Sequence, residues 1–333
     1  MKTIYSRFAL PVGLALLFLA SGFSIQSASA AARLTGSGDV VTGNSYTGSS
    51  GIRRDYILYV PQSYDGSAPV PMVMALHGCV MDNYDALNAW NLDLIADANN
   101  VILVLPYVGR FTELRNDDCW GYWFSKHVQE GAGGEVDDLY QIAREVEASY
   151  QIDEDRRFIT GISSGAAMAV AEAVAHNEYW TAAAPVAGLA YGDWASSVTS
   201  DLFQSLSTHV SKLNAELDYD RPVPMLVVQS ANDTTVLPEA MELIRDSQLT
   251  VWGGDLNADA TESCSKGGVS CTLTTYNGAD GAPLVRTMYY QGGPGRSATY
   301  GKGHYWTGGD DDMNVWSNDS NGPNASEQTW AFF

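Results

Sequence analysis

Ser163, Asp233 and His304 occur in the chain order in which a nucleophile, its orienting acid and its general base are found when an activated serine cleaves an acyl bond. Ser163 is the centre of Gly161-Ile162-Ser163-Ser164-Gly165. The β-branched and aromatic run Arg157-Phe158-Ile159-Thr160 precedes it, and an alanine-rich stretch from Ala166 to Ala175 follows. Strand, sharp turn and helix in that order lift a serine hydroxyl clear of the backbone. Glycine is needed on both sides because the turn strains its central residue and the crossing strand and helix leave no room for a Cβ. Ser164 would open the helix, so its N–H can donate to an oxygen that gains negative charge. The same five-residue pattern arises by chance in glycine-rich loops, and the character of both flanks selects the catalytic reading.

A serine of this kind needs a base. Of the five histidines, His77 and His127 precede the turn, His176 ends its helix and His209 precedes the late apolar run Met225 to Gln229. Only His304 follows an acid placed directly past that run, and glycines flank it closely. Asp233, four residues past Gln229, is preferred to Glu239, which falls inside the next helix. A second oxyanion donor is expected from the backbone of Cys79 in the exit Leu76-His77-Gly78-Cys79. His77 is read as shaping that loop, and His127, His176 and His209 as surface or helix-end residues. Asp310-Asp311-Asp312 is read as a solvated acidic turn, with weak cation binding as the lesser alternative. No His/Cys cluster has zinc spacing and no glycine loop cradles phosphate, so neither a metal nor a cofactor is expected.

The elements that position these residues alternate. Strands are expected over Arg54 to Val60, Val73 to Leu76, Val101 to Leu105, Thr181 to Gly188 and Met225 to Gln229, with helices over Leu87 to Asn99, Glu135 to Tyr150, Pro238 to Gln248 and Ala325 to Phe333. Strand-like runs also cover Thr272 to Tyr276 and Val285 to Tyr290. That alternation predicts an α/β fold with a mostly parallel sheet covered on both faces, in one domain over residues 53–333. Residues 31–52, rich in Gly, Ser and Thr, read as a flexible N-terminal segment. The first 30 residues read as a signal peptide: Lys2 and Arg7, an apolar run from Phe8 to Ala20, and Ala28-Ser29-Ala30 as the cleavage pattern. Export is therefore expected, with no membrane insertion of the mature chain.

Four cysteines in an exported chain suggest two disulfides, for which three pairings exist. Cys264 and Cys271 bracket a short polar loop and close most simply on each other, leaving Cys79 with Cys119. A formal charge of −21 repels nucleic acid and anionic membranes and disfavours polyanionic substrates, while serving solubility. Trp120, Tyr122, Trp123, Tyr305 and Trp306 fall in two loops that should flank Ser163. Of these, Trp120, Tyr305 and Trp306 are taken as substrate-binding faces; for the cluster from Trp120 to Phe124 the competing reading is a small satellite core pinned by the disulfide.

Tyr59-Val60-Pro61, Leu76-His77-Gly78-Cys79, Cys119-Trp120, Thr160 to Met168, Ala184-Pro185-Val186-Ala187-Gly188, Asp233-Thr234-Thr235-Val236 and Gly303 to Gly309 together resemble the poly(3-hydroxybutyrate) depolymerase family of secreted esterases. The likeness runs from about residue 53 to the C-terminus. It implies the α/β-hydrolase fold, a Ser163–His304–Asp233 triad, and oxyanion N–H groups from Cys79 and Ser164. It departs at Gln229-Ser230, where the family more often has His-Gly, so the support of Asp233 is expected to differ. Many polymer depolymerases also carry a linker and a polymer-binding domain, and by this likeness the chain is expected to end with the catalytic part. The expected activity is hydrolysis of hydroxyalkanoate esters by a monomer. The alternatives are a feruloyl or acetylxylan esterase and, from another class, a non-catalytic binding module.

Overall fold

The computed structural model describes residues 35–109, 118–198, 200–292, 303–309 and 318–333. The proposed signal peptide and Asp310-Asp311-Asp312 lie outside them. The strands are β1 (Asp39–Thr47), β2 (Arg53–Val60), β3 (Val70–Leu76), β4 (Ile102–Pro106), β5 (Ile152–Ile162), β6 (Ala182–Val186), β7 (Met225–Ser230), β8 (Ala260–Lys266), β9 (Val269–Asn277) and β10 (Pro283–Tyr290). The helices are α1 (Asn83–Ala89), α2 (Leu92–Asn99), α3 (Ser125–Val128), α4 (Glu135–Ser149), α5 (Ser164–Ala175), α6 (Leu206–Glu216), α7 (Glu239–Val251) and α8 (Ala325–Phe332). Short β11 (Trp306–Thr307) and β12 (Asn318–Asp319) pair separately.

One sheet of ten strands runs β1-β2-β4-β3-β5-β6-β7-β10-β9-β8. Its middle, β4-β3-β5-β6-β7-β10, is parallel throughout, and the outer strands are antiparallel. β3, β4, β6 and β7 are buried along their whole length, as strands covered on both faces must be. Two apolar clusters occupy the two faces. Met72, Met74, Val104, Ile159 and Val227 point into one, and Val73, Leu103, Phe158, Leu226 and Val228 into the other. This is the mostly parallel α/β sheet expected from the alternation of elements, in the α/β-hydrolase arrangement that the resemblance implies.

Three local expectations fail for identifiable reasons. Residues 39–47, expected to be loose, form β1 on the sheet edge. Its polar sequence hides the strand because pairing with β2 is carried by backbone groups, and a bulge at Gly43 (φ +83°) interrupts the alternation. The helix expected over Leu87 to Asn99 is two helices, broken where Asn91 adopts a left-handed conformation (φ 57°). The loop expected between Cys264 and Cys271 is instead a β8-β9 hairpin that turns at Gly267-Gly268 (φ 60° and 82°), the residue type that tight hairpins demand.

Candidate active site

Ser163 stands between β5 and α5 with φ 57° and ψ −122°, a conformation that costs a non-glycine residue on the order of 1–3 kcal/mol. The surroundings enforce it. A Cβ on Gly165 would strike the Leu76 and His77 carbonyls, and one on Gly161 would come within 2.7 Å of the Gly165 backbone and the Leu76 oxygen. All twelve residues of α5 are buried, which fixes the helix behind the turn. The Ser163 N–H donates to Val186 O (3.0 Å) and the Ala187 N–H to Val228 O (2.8 Å). Those two bonds join the carboxyl ends of β5, β6 and β7, so the turn is tied to the strand that delivers the acid.

Past β7, Asp233 Oδ1 accepts from the N–H groups of Thr235 (2.8 Å) and Val236 (3.0 Å). Its Oδ2 lies 2.8 Å from His304 Nδ1, and both residues are buried. Since the carboxylate can only accept, the bond fixes the tautomer: Nδ1 carries the proton and Nε2 keeps its lone pair. Gln229 Nε2 donates to the same Oδ2 (3.3 Å) and to Val236 O (3.0 Å). The departure at Gln229 thus supplies an additional donor that braces the carboxylate. Gly303, at φ +75°, places His304 against this loop; a Cβ there would come within 2.8 Å of the Asp233 backbone nitrogen.

The loop after β3 is built around His77, which is fully buried. Its Nδ1 meets Gly78 O at 2.8 Å, its Nε2 accepts from the Val108 N–H (3.1 Å), and the Trp120 indole donates to its carbonyl (3.0 Å). A disulfide joins Cys79 to Cys119, and the Trp120 N–H reaches Ser164 Oγ (3.4 Å), so both expected oxyanion donors rest on one scaffold. The second disulfide joins Cys264 to Cys271 across the β8-β9 hairpin. Glu135, the first residue of α4, extends the scaffold inward: its Oε2 accepts from the Gly121 N–H (2.6 Å) while Oε1 lies 3.5 Å from buried Arg54. That contact was not foreseeable from the sequence, where Glu135 reads as a helix-start acid.

Burial pushes the His77 pKa down from 6.5 to about 4. Below pH 6.5 the unfolded chain takes up a proton that the folded chain refuses until about pH 4, so the contribution of His77 to stability is complete above 6.5 and falls away towards 4. Glu172, whose carboxyl is pushed up to about 8 by burial, acts with the opposite sign over part of that range. The effect must therefore be read as a difference. Urea unfolding of the parent and of His77→Gln from pH 7 to 4.5 should show the parent's advantage shrinking by about 2–3 kcal/mol on acidification. A constant advantage would contradict the assignment of a neutral imidazole.

The structure corrects the aromatic reading. Trp120, Tyr305 and Trp306 are essentially without solvent exposure and offer no open face to a substrate. Trp306 stacks on Trp90 (centroids 4.2 Å apart, planes 4° apart), and its indole donates to Ser326 Oγ (3.0 Å), whose hydroxyl in turn donates to Trp90 O. The break between α1 and α2 sets Trp90 in place for this stack. The Trp90–Trp306 pair anchors the His304 loop to α8. Trp123 is half-buried and lines a separate cavity with Tyr122, Tyr191 and Lys212.

The family model described as "Esterase PHB depolymerase" matches residues 54–265. A poly(3-hydroxyalkanoate) depolymerase C of Paucimonas lemoignei is 27% identical over 244 residues, covering 70% of this chain; the chain spans 56% of that relative's length. A feruloyl esterase B of Thermothelomyces thermophilus is 25% identical over 221 residues, with 62% of this chain and 72% of that protein covered. Among solved structures, the acetyl xylan esterase from Aspergillus awamori superposes with a TM-score of 0.62 at 19% identity, over 76% of this chain and 92% of its own.

Proposed function

We propose that this chain, which belongs to the Esterase PHB depolymerase family, is an exported serine hydrolase of carboxylic esters that uses Ser163, His304 and Asp233. The observation that carries the reading is the buried 2.8 Å contact between His304 Nδ1 and Asp233 Oδ2, past the carboxyl end of β7 as the strained Ser163 is past that of β5. His304 Nε2 takes the Ser163 proton as Oγ attacks the ester carbonyl. Asp233 holds the imidazole in the required tautomer and stabilises the cation that forms. The N–H groups of Cys79 and Ser164 receive the charge on the tetrahedral oxygen, and no hydrogen bond from either to a described residue competes. His304 then returns the proton to the leaving alcohol, and water repeats the sequence on the acyl-serine. Export is supported by the two disulfides, which persist in oxidising compartments. No described helix is long and apolar enough to cross a membrane.

For the substrate we infer hydroxyalkanoate esters, supported by the family and by the 244-residue match to a depolymerase. A chain of charge −21 favours neutral substrates of this kind. A feruloyl ester is the second reading, favoured by the larger share of the feruloyl relative that the chain covers. Initial rates on a hydroxybutyrate trimer and on methyl ferulate, measured under one condition, decide between them. Faster cleavage of the trimer is expected. Cleavage of the ferulate with the trimer untouched removes the depolymerase reading and leaves the esterase.

A further inference from the structure

At the end of α5 remote from Ser163, about 18 Å along the helix axis, His176 meets a ring of carboxylates that the proposed chemistry does not use. The imidazole is buried, stacked on Tyr140 at 4.3 Å, and neither ring nitrogen has a hydrogen-bond partner. Its Nδ1 lies 3.6 Å from Glu178 Oε1 and 4.0 Å from Glu130 Oε1, both just beyond hydrogen-bond length. On the other side, Nε2 lies 3.8 Å from Asp137 Oδ1. Asp137 is itself fixed, accepting from the N–H groups of Gly131 (2.8 Å) and Gly133 (2.5 Å). Both ring nitrogens are desolvated without a hydrogen bond and the surrounding carboxylates repel one another, a cost that a cation held between them, or a proton on the ring, would relieve.

We propose that His176 Nδ1, Glu130 and Glu178 bind a divalent first-row transition cation, for which Zn²⁺ is the natural probe. One nitrogen and two carboxylate oxygens suit such an ion better than Ca²⁺ or Mg²⁺, which take all-oxygen shells. The three ligand atoms lie within 4.8 Å of one another. Around Zn²⁺ they would close to about 3.3 Å, a rotation of exposed Glu130 and half-buried Glu178 rather than a backbone shift. Asp137 then accepts from Nε2–H, the carboxylate–imidazole–metal arrangement that sets the tautomer and raises ligand basicity. Solvent beside Glu130 supplies the remaining position. The cation would clip His176 and Glu178, just past the end of α5, to the loop leading into α4, stabilising the fold without entering the ester chemistry. The site escaped the sequence because Glu130 is far from His176 along the chain and the spacing matches no zinc pattern.

Full-length protein stripped with EDTA and desalted is melted with and without 0.2 mM ZnCl₂, with CaCl₂ at equal ionic strength as control, in the parent and in Glu130→Gln and His176→Gln. The expected result is a rise in Tm of about 5 °C for the parent with Zn²⁺ only, reduced in both variants, and a single-site isotherm by calorimetry. No rise in the parent, or an equal rise in both variants, overturns the proposal and leaves a protonated imidazole paired with its carboxylates. Should His176→Gln fail to fold, Glu130→Gln, altered at an exposed position, decides alone.

Discussion

Ser163→Ala is expected to fold as the parent does and to hydrolyse a chromogenic short-chain ester at least about a thousandfold more slowly. The substitution removes only Oγ, the atom that attacks, from a residue whose backbone is held by the Val186 carbonyl and by the close approach of β3 to α5. A smaller side chain at a strained position leaves the core untouched, so the urea midpoint should barely move while turnover collapses. Ser164 is the internal control. Its Oγ accepts from the Trp120 N–H and faces the loop scaffold, so Ser164→Ala should retain most of the turnover. The reverse pattern, with Ser163→Ala active and Ser164→Ala dead, would move the nucleophile by one residue and sink the site as drawn.

Asp233→Asn should lower turnover by about 10³–10⁴-fold with little loss of substrate binding. Two backbone N–H groups fix one oxygen of the side chain, so an asparagine there keeps its carbonyl towards Thr235 and Val236. Its NH₂ then faces His304 Nδ1, which must accept instead of donate. The proton moves to Nε2, and the nitrogen that should take the serine proton no longer has a lone pair. Gln229 sharpens the result, because its amide already donates to the position the new NH₂ would occupy. A steady-state comparison of kcat and KM separates the cases. Loss in kcat fits the tautomer argument, whereas loss in KM alone would make Asp233 a binding residue.

Much of this was legible in the sequence because the signals are local. The strand–turn–helix around Ser163 follows from a β-branched run, two glycines and a row of alanines, and the order of acid and base removes four of five histidines. The pairing of Cys264 with Cys271 is likewise a short-range fact. What the chain conceals is whether a side chain faces solvent or core. Trp120, Tyr305 and Trp306 have the composition of a binding face and the burial of a core, and contacts distant in sequence make the difference: Trp120 with the His77 carbonyl, Trp306 with Trp90 and Ser326. β1 is hidden for the complementary reason: an edge strand needs backbone partners more than apolar side chains.

The two ends of the sheet bear on how the protein behaves at high concentration. Among the described residues no strand pairs outside β1 or β8, and such an edge is a template on which a second molecule could add a strand. Neither end offers a flat apolar ribbon. β1 is polar and bulged at Gly43, so a neighbour cannot stay in register along it. β8 is almost wholly exposed, carries Glu262 and Lys266, and is held to β9 by a covalent bond that keeps it from peeling away to seek another partner. Surface repulsion from a charge of −21 acts in the same direction, so reduction of the Cys264–Cys271 bond combined with high salt is the condition under which this fold would begin to self-associate through its edge.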